Sequence, residues 1–359
     1  MDYSIFINHY SLAIALVVAW LLDLWLGDPA WLPHPVVAFG KVIAWCERHF
    51  NQGRHRMLKG AIVTLLLDAF VFFVVWGIIQ ILYQRISPFS FGEVSILPLW
   101  GGVREGLLFL VEFVIIFYCL AGTTLIREVR AVFLALDRSL EEGRKQVARI
   151  VGRDTSELSA QEVRTAALET LAENLSDGVI APLFWLAVGG VPAMLTYKMI
   201  NTQDSMVGYR TERYKDYGCW AARIDDIANY IPARLTALLM LLVAPLIPTM
   251  RADSSFAIED KSENNPSPLR GRWRGLYCVR KYARNHLSPN SGYPEAALAG
   301  ILDCRFGGPH NYFGKLVYKP YIGENDRLLT TADMKKAIRV NRMAELLMLL
   351  LVVARFLFI

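Results

Sequence analysis

The chain has 359 residues, 54% of them hydrophobic, and a mean hydropathy of +0.32. These values are too apolar for an ordinary soluble enzyme of this length, and the apolar residues stand in long blocks, so the sequence predicts an integral membrane protein. The formal charge of +5 is modest and the 38 basic residues are spread over several loops, which argues against a nucleic-acid partner.

The first apolar segment lies near the N-terminus and includes residues 12–26, which residues 5–7 can lengthen. No Lys or Arg precedes it, since the first basic residue is Lys41. A cleaved signal peptide has a basic N-terminal region. We therefore expect a retained membrane anchor whose N-terminus lies outside.

Five further apolar segments are long enough, or nearly so, to cross the hydrocarbon core, which takes about 20 helical residues. They comprise residues 61–83, 107–126, 178–200, 231–250 and 344–359. The segment at 178–200 holds Gly189, Gly190 and Pro192 at its middle, so we expect a broken or re-entrant helix there. The predicted fold class is all-α, a polytopic membrane helical bundle with about five to six membrane segments and helical cytoplasmic loops.

The basic residues of the loops predict the topology. Residues 28–60, 127–177 and 251–343 hold five, eight and sixteen Lys or Arg, whereas residues 84–106 hold two. The positive-inside rule places the first three loops in the cytoplasm. Residues 201–227 conflict with this rule, because parity places them outside although they contain four basic residues. Either the segment at 178–200 does not span, or this loop folds back into the bundle.

The apolar and polar blocks divide the chain into six regions. In one of them Val129, Val132 and Phe133 recur at helical spacing with charges between them. The regions are 1–126 with N-terminal membrane helices and a polar loop, 127–177 as an amphipathic helical cytoplasmic segment, 178–250 with membrane segments around a polar central loop, 251–275 as a flexible linker rich in Ser, Asn and Pro, 276–343 as a C-terminal polar loop, and 344–359 as the last membrane helix.

The five cysteines are scattered along the chain, without a CxxC pair and without a histidine at ligand spacing. They therefore predict reduced, structural thiols rather than a zinc site or a disulfide framework. The residues are Cys46, Cys119, Cys219, Cys278 and Cys304.

Residues 169–235 concentrate charged and amide side chains between two apolar runs, and charge near hydrocarbon is costly unless it is paired or used. Glu169, Glu173 and Asp177 recur every four residues and fall within an arc of about 80° on one helix face. Such a face suits Mg²⁺ bound partly through water and nucleotide phosphates. The alternative interpretation is a solvated acidic stripe.

A second polar group follows where the chain is expected to leave the bilayer. Asn201, Asp204, Ser205 and Arg210 stand there, and such an exit can present an acid, a cation and backbone N–H groups together. The alternative is that Asp or Ser caps a helix at the interface.

A third polar group combines two acids with an amide and two flanking cations. Asp225 and Asp226 are followed by Asn229 at helical spacing, and Arg223 and Arg234 stand on either side. A substrate or nucleotide contact is one interpretation. Local Arg–Asp pairing that anchors a helix at the membrane surface is the other.

Polar turns also follow the first span and precede the last one. Asp23, Asp28 and His34 stand among three prolines that prevent a continuous helix, as a carboxylate pair facing a site or as a capped helix end. Near the C-terminus, the stretch from Ser288 contains Asn290 and two prolines, and Glu295 opens a predicted helix.

These polar stretches together resemble the adenosylcobinamide-phosphate synthase family of cobalamin biosynthesis. The resemblance rests on four blocks: Gly27-Asp28-Pro29 with His34-Pro35-Val36, residues 169–182 with 201–209, residues 288–300, and Gly307-Gly308-Pro309 with Lys319-Pro320-Tyr321-Ile322-Gly323. The chain departs from the family pattern at Gln203, Ser291 and Tyr293, and none of these departures removes an ionisable group.

The resemblance implies ATP-dependent formation of an amide bond between (R)-1-amino-2-propanol O-phosphate, or aminopropanol, and a propionate carboxylate of adenosylcobyric acid. It implies a carbon–nitrogen ligase of the cell inner membrane that uses ATP and Mg²⁺, with a site facing the cytoplasm. Other late cobalamin-assembly membrane enzymes are expected partners. The alternatives are a corrinoid or small-solute transporter and a non-catalytic membrane sensor of the same fold.

The resemblance also assigns roles to the candidate residues. The catalytic candidates are Asp177, Asp204, Asp225 and Asp226; those for substrate or phosphate are Asn201, Ser205, Arg210, Arg223, Arg234, Asn290 and Lys319; those for metal are Glu169, Glu173 and Asp177; and further candidates are Asp23, Asp28, His34 and Glu295.

Overall fold

The computed structural model describes residues 3–29, 31–84, 103–247, 269–312 and 315–358, and these residues are helical apart from loops and one hairpin. The all-α prediction is confirmed. The helices are α1 (Tyr3–Leu26), α2 (Pro35–Phe50), α3 (Arg56–Gln84), α4 (Val103–Cys119), α5 (Gly122–Arg138), α6 (Leu140–Val147), α7 (Ala160–Leu175), α8 (Ala181–Val207), α9 (Cys219–Ala228), α10 (Tyr230–Val243), α11 (Arg270–Tyr282), α12 (Gly292–Leu302) and α13 (Thr331–Phe358). The strands are β1 (Phe306–Tyr312) and β2 (Lys315–Ile322).

Three helical stretches are long and apolar enough to cross a membrane, namely Arg56–Tyr83, Glu105–Arg138 and Ala160–Val207. The pair α9 and α10, bent by 44°, makes a fourth if it counts as one span, and Tyr10–Leu26 is a shorter apolar helix. This number, for the described residues, is smaller than the five to six expected. One reason is that the apolar part of α13 keeps Arg342, Glu345 and Arg355 along its length.

The helices divide between two compact units. Unit 1 comprises residues 1–123, 177–229 and 348–359, and unit 2 comprises residues 124–176 and 230–347. The contacts of each unit follow separately.

In unit 1 an apolar cluster joins α2, α3, α8 and α9, and its buried members include Ile43, Val71 and Met199. Within it the Gln203 amide donates to the Asp68 carboxylate at 2.7 Å. An acid placed inside an apolar helix thus pairs α3 with α8.

Helix α8 is interrupted at the two glycines that the sequence singles out, so the predicted break is confirmed. Gly190 has φ 66° and ψ −163°, a conformation that glycine adopts without the steric penalty other residues meet. At the other end the chain continues from α7 through a π-helical turn, Ser176–Ile180, into α8. Helix α8 also extends to Val207, so residues 201–207 are helical rather than an exit loop.

Unit 2 contains α7, α10, α11, α12 and the hairpin. Helices α11 and α12 cross closely, since a Cβ added at Gly300 would lie 2.5 Å from the carbonyl oxygen of Arg274. The strands pair antiparallel, with a bulge between Phe306 and Gly308. Gly307 and Gly308 both have positive φ, which explains glycine at this bulge.

Two of the regions predicted from the sequence, 251–275 and 127–177, overlap helices of the structure. The expected linker 251–275 lies mostly outside the described residues, but α11 begins at Arg270, so the prediction is wrong for residues 270–275. The segment 127–177 is helical as expected, and Val129, Val132 and Phe133 of α5 are buried. All five cysteines are free thiols, as predicted.

Candidate functional site

Unit 2 contains a small cavity of about 120 Å³ that brings together three acidic and two basic side chains. We call it the charged cavity. Its walls come from the loop before α7, from one face of α7, from the first turn of α12 and from β2. The lining residues are Ile150, Val151, Gly152, Arg153, Ala166, Glu169, Thr170, Glu173, Asn174, Glu295 and Lys319.

Glu169 of α7 is the most heavily contacted acid of the charged cavity. The Arg153 guanidinium lies 3.2 Å from its Oε2, and the Lys319 ammonium lies 3.3 Å from its Oε1. The backbone N–H of Gly307 also donates to Oε1, at 2.7 Å. Because two cations and an amide dipole face this carboxylate, its charge is offset inside the protein.

Lys319 joins Glu169 to a second buried acid, Glu295, at 3.0 Å. Burial alone would lower the pKa of Lys319, but the carboxylates of Glu169, Glu295 and Glu173 outweigh it and raise that pKa, so the ammonium stays charged. Burial, against the opposing effect of Lys319, raises the pKa of Glu295, whose side chain is 1% exposed.

His286 lies 3.5 Å from Glu295 through its Nε2 atom. Its Nδ1 accepts a hydrogen bond from the backbone N–H of Ser288 at 2.9 Å, so in the neutral ring the proton is on Nε2 and points to the acid. Burial, followed by the nearby Lys319 charge, lowers the pKa of His286. A neutral histidine therefore orients Glu295 without adding charge.

The third acid, Glu173, accepts a hydrogen bond from the Ser291 hydroxyl at 2.8 Å. The turn that presents Ser291 is held by the Ser288 hydroxyl, which accepts from the N–H groups of Asn290 and Ser291. The predicted turn and the opening of α12 near Glu295 are both confirmed. This turn thus places Ser291, a residue of the resemblance motif, against α7.

Arg234, a residue of α10, contacts the same turn. Its guanidinium stacks between the rings of Tyr230 and Tyr293, at 3.5 and 4.1 Å, and donates to the Asn290 amide oxygen at 3.2 Å. The alternative that Arg234 pairs locally with Asp225 or Asp226 is therefore wrong for this arginine, whose contacts lie in unit 2.

Unit 1 holds a second polar group, on α8 and α9. The Tyr197 hydroxyl donates to the Asn229 side-chain oxygen at 2.8 Å, and the Asn229 amide donates to Asp225 at 3.0 Å. The Asn201 amide reaches the other oxygen of Asp225 at 3.5 Å. The predicted Asp225–Asn229 pair is confirmed, and it is almost completely buried.

The remaining predicted residues of this group occupy the same helices or the loop between them. Asp204 lies within electrostatic range of Asp225, and Arg210 within range of Asp226. Ser205 donates to the Asn201 carbonyl at 2.8 Å and caps no helix start, so the capping alternative is wrong for it.

Two further predicted residues of unit 1 have simpler surroundings. Arg223 stacks over the ring of Trp220 at 5.6 Å. Asp177 stands in the π-helical turn, where its carbonyl oxygen lies 3.4 Å from the Tyr197 hydroxyl.

The N-terminal candidates also lie in unit 1. His34 caps α2, because its Nδ1 accepts from the backbone N–H of Val36 at 3.2 Å, and its Nε2 lies 3.8 Å from Asp28. Burial, followed by the Lys198 charge, lowers the pKa of His34. Asp23 is buried and accepts from the backbone N–H of Thr123 at 3.2 Å.

Comparison with known proteins extends over nearly the whole chain. The family model described as CobD/Cbib protein matches residues 16–341. The chain belongs to the CobD/CbiB family. Relatives include the Cobalamin biosynthesis protein CobD of Geobacter metallireducens, 42% identical over 337 residues (93% of this chain and 94% of the relative), and the protein of that name from Klebsiella pneumoniae, 38% identical over 343 residues (94% and 95%). The Cobalamin biosynthesis protein CbiB of Salmonella choleraesuis is 38% identical over 346 residues (95% and 96%). No solved structure matches the chain.

Membership of the family confirms the resemblance, and the structure adds residues that the sequence patterns did not single out. Arg153 and His286 in unit 2 and Tyr197 in unit 1 contact predicted site residues directly. Tyr197 precedes Asn201 by four residues on α8, so helical periodicity was a usable signal. Arg153 meets an acid sixteen residues away across a loop, and no local pattern indicates that.

Two of the predicted metal ligands have other partners in the structure. Glu169 is already paired with Arg153 and Lys319, and among the described residues no three His, Cys, Asp or Glu side chains form a group suited to a metal ion. Asp177 belongs to unit 1. Mg²⁺ bound by Glu169, Glu173 and Asp177 stays a prediction that no described contact supports.

Proposed function

We propose that this protein is an adenosylcobinamide-phosphate synthase, an acid–amine ligase that acts in cobalamin biosynthesis. The observation that carries the proposal is the match of residues 16–341 to the CobD/CbiB family, with relatives named cobalamin biosynthesis proteins that align over more than nine-tenths of the chain. The substrates we propose are adenosylcobyric acid, (R)-1-amino-2-propanol O-phosphate or aminopropanol, and ATP with Mg²⁺.

The proposed reaction has two steps. A propionate oxygen attacks a phosphorus atom of ATP, and ADP or pyrophosphate leaves. The amine nitrogen then attacks the activated carbonyl carbon, the C–N bond forms, and phosphate or AMP leaves with the former carboxylate oxygen. The amine also loses a proton, which a positioned carboxylate can accept.

The charges of both units support this chemistry. Activation of a carboxylate needs cations near phosphate groups. The candidates for that role are Arg210, Arg223, Arg234 and Lys319, of which Lys319 is already paired with Glu169 and Glu295. The amine needs a proton acceptor, and the candidates are the aspartates of unit 1 at 177, 204, 225 and 226. Asn201, Ser205 and Asn290 are proposed to orient substrates.

The proposed location is the cell inner membrane, with the site facing the cytoplasm, where ATP is available. The long apolar helices support membrane insertion. The proposed partners are other membrane enzymes of late cobalamin assembly, because a shared bilayer would keep large corrinoid intermediates close to the next enzyme.

The test is mass spectrometry of the product formed by the purified, detergent-solubilised chain with adenosylcobyric acid, the aminoalcohol phosphate, ATP and Mg²⁺. We expect an ATP-dependent amide adduct, greatly reduced in Asp204→Asn and unchanged in Asp137→Asn, the same change at an exposed position of α5. Detection of ADP or AMP identifies the activation step. No adduct from folded protein would refute the synthase.

A transporter of corrinoids or other small solutes is the second candidate, because the break in α8 is a feature of transporter helices at a binding site. Uptake of corrinoid into liposomes by the reconstituted chain, without an amide product, would favour it. A non-catalytic sensor of the same fold would show neither activity.

A further inference from the structure

Within the charged cavity, two charged side chains keep hydrogen-bonding capacity that an ion pair does not use, Arg153 as a donor and Glu173 as an acceptor. Lys319 is used by Glu169 and Glu295, and Glu169 is also contacted by Arg153. Arg153 and Glu173 are the charged groups of the lining that we consider for ligand binding. The Oε2 atom of Glu295 also lacks a hydrogen-bond partner in the described residues, but the Lys319 ammonium lies 3.0 Å from it.

Arg153 is buried, with its side chain 4% exposed, and its Nε–H has no hydrogen-bond partner within the described part of the chain. A buried donor without a partner is energetically unfavourable. A guanidinium presents its donors in a planar fork that matches the oxygens of a phosphate or carboxylate. An anionic group bound in the charged cavity would satisfy this donor.

Glu173 is half-buried and lines the same cavity. It accepts from the Ser291 hydroxyl, and no described cation lies within salt-bridge distance of it. A carboxylate without an ion-pair partner is suited to bind a primary ammonium group, which supplies a positive charge and up to three N–H donors.

Glu169, the partner of Arg153, lies about one helical turn from Glu173. Arg153 pairs with Glu169, and Glu173 stands four residues further along α7, which corresponds to a rise of about 6 Å. A small molecule with an ammonium group and an anionic group a few bonds apart therefore matches the arrangement.

The cavity volume restricts the ligand further. Pockets for drug-sized ligands measure about 300–1,000 Å³, whereas this cavity measures about 120 Å³. A corrinoid or a whole nucleotide does not fit inside it, but a molecule of about nine heavy atoms, such as an aminoalcohol phosphate, is of suitable size.

We propose that the charged cavity is the binding site of the amine substrate, with the phosphate of a small aminoalcohol phosphate on Arg153 and its ammonium group on Glu173. The inference rests on the proposed function for the identity of the ligand. It assigns Arg153 and Glu173, of which the first was not predicted and the second was predicted as a metal ligand.

The test measures binding without catalysis, by isothermal titration calorimetry on the detergent-solubilised full chain. The three probes are 1-amino-2-propanol O-phosphate, isopropyl phosphate, which lacks the amine, and 1-amino-2-propanol, which lacks the phosphate. Glu173→Gln keeps the acceptor for Ser291 and removes the charge. Arg153→Lys keeps the charge and removes the planar fork. Glu157→Gln and Arg280→Lys make the same changes at exposed positions and serve as controls.

We expect the zwitterionic probe to bind the unmodified chain more tightly than either partial probe. Glu173→Gln should weaken that probe by about tenfold to a hundredfold and leave isopropyl phosphate unchanged, since a charge-assisted hydrogen bond is worth about 1.5–3 kcal/mol. Arg153→Lys should weaken both phosphate-bearing probes and leave the amine alone unchanged.

Other outcomes separate this inference from the proposed function. Equal binding of the zwitterion by both variants and their controls would overturn the site, even if the amide product forms. Binding of Mg²⁺ alone that Glu173→Gln abolishes, with no zwitterion binding, would overturn it in favour of the metal prediction. Specific zwitterion binding without an amide product would uphold the site and refute the synthase.

Discussion

Replacing Lys319 with Met provides a direct test of the buried ion network in unit 2. The side chain of Lys319 is 9% exposed and lies 3.3 Å from Glu169 and 3.0 Å from Glu295. Methionine has a similar length and no charge, so Lys319→Met leaves the packing volume nearly unchanged. The two carboxylates then lose the cation that they share.

Removing one partner of a buried ion pair destabilises a protein by about 3–5 kcal/mol, because an uncompensated charge remains in the interior. At roughly 2–4 °C per kcal/mol for a unit of this size, the apparent Tm should fall by roughly 6–20 °C. Adding Glu295→Gln to the Met variant removes the more buried of the two carboxylates and should recover part of that loss. The assay is thermal unfolding in detergent, at one scan rate for all variants.

The matched control is Lys145→Met. Lys145 pairs with Glu141 at 2.6 Å, but both side chains are about three-quarters exposed, and we expect no measurable change of Tm. An equally small change in Lys319→Met, or a double variant less stable than the single one, would refute the view that Lys319 offsets buried negative charge.

Three further changes test other parts of the chain by thermal unfolding. Gly307→Ala should lower the Tm, because Gly307 has φ 82° and a Cβ would lie 2.3 Å from the Pro320 carbonyl oxygen; an unchanged Tm would contradict this close approach. Tyr197→Phe should destabilise unit 1 by about 1–3 kcal/mol, since the buried Asn229 oxygen loses its donor; an effect below 0.5 kcal/mol, roughly the scatter of surface substitutions, would contradict it. Burial and, after it, the charge of Lys319 lower the pKa of His286 in the folded protein. Below about pH 6.5 the unfolded chain therefore binds more protons than the folded one. The free energy of unfolding should thus fall as the pH decreases through that value. His286→Asn should remove this part of the fall, whereas a pH profile parallel to the original would count against it.

Much of the helical architecture follows from local patterns in the sequence. Apolar blocks predict α3 and α8, and the pair Gly189 and Gly190 predicts the break in α8, because these signals depend on neighbouring residues alone. The sequence pattern predicts too short a helix α8, because the polar residues Asn201 and Asp204 indicate an exit from the bilayer, whereas the helix extends to Val207. In the protein both residues continue the helix. The Asn201 amide contacts Asp225, and Asp204 lies within electrostatic range of it, so tertiary contacts decide their conformation.

The hairpin and the charged cavity depend on contacts that are distant in sequence. Glycines such as Gly307 suggest a turn, but the strand pairing from Phe306 to Ile322 requires the hydrogen bonds of the partner strand. Likewise, the spacing of Glu169 and Glu173 predicts one helix face correctly. The spacing does not predict that Arg153, on a loop, and Lys319, on a strand, neutralise the charge of Glu169 on that face.

The charges of unit 2 are better explained by ligand binding than by stability. Burying an ion pair pays a desolvation penalty that often equals its Coulombic gain, so well-packed apolar residues would stabilise the same position at least as well. Here five charged side chains line a cavity large enough for a small molecule, and Arg153 keeps a buried donor without a partner in the described residues. A structural role would favour satisfying that donor within the chain. The described residues leave it without a partner, in a side chain that lines the cavity.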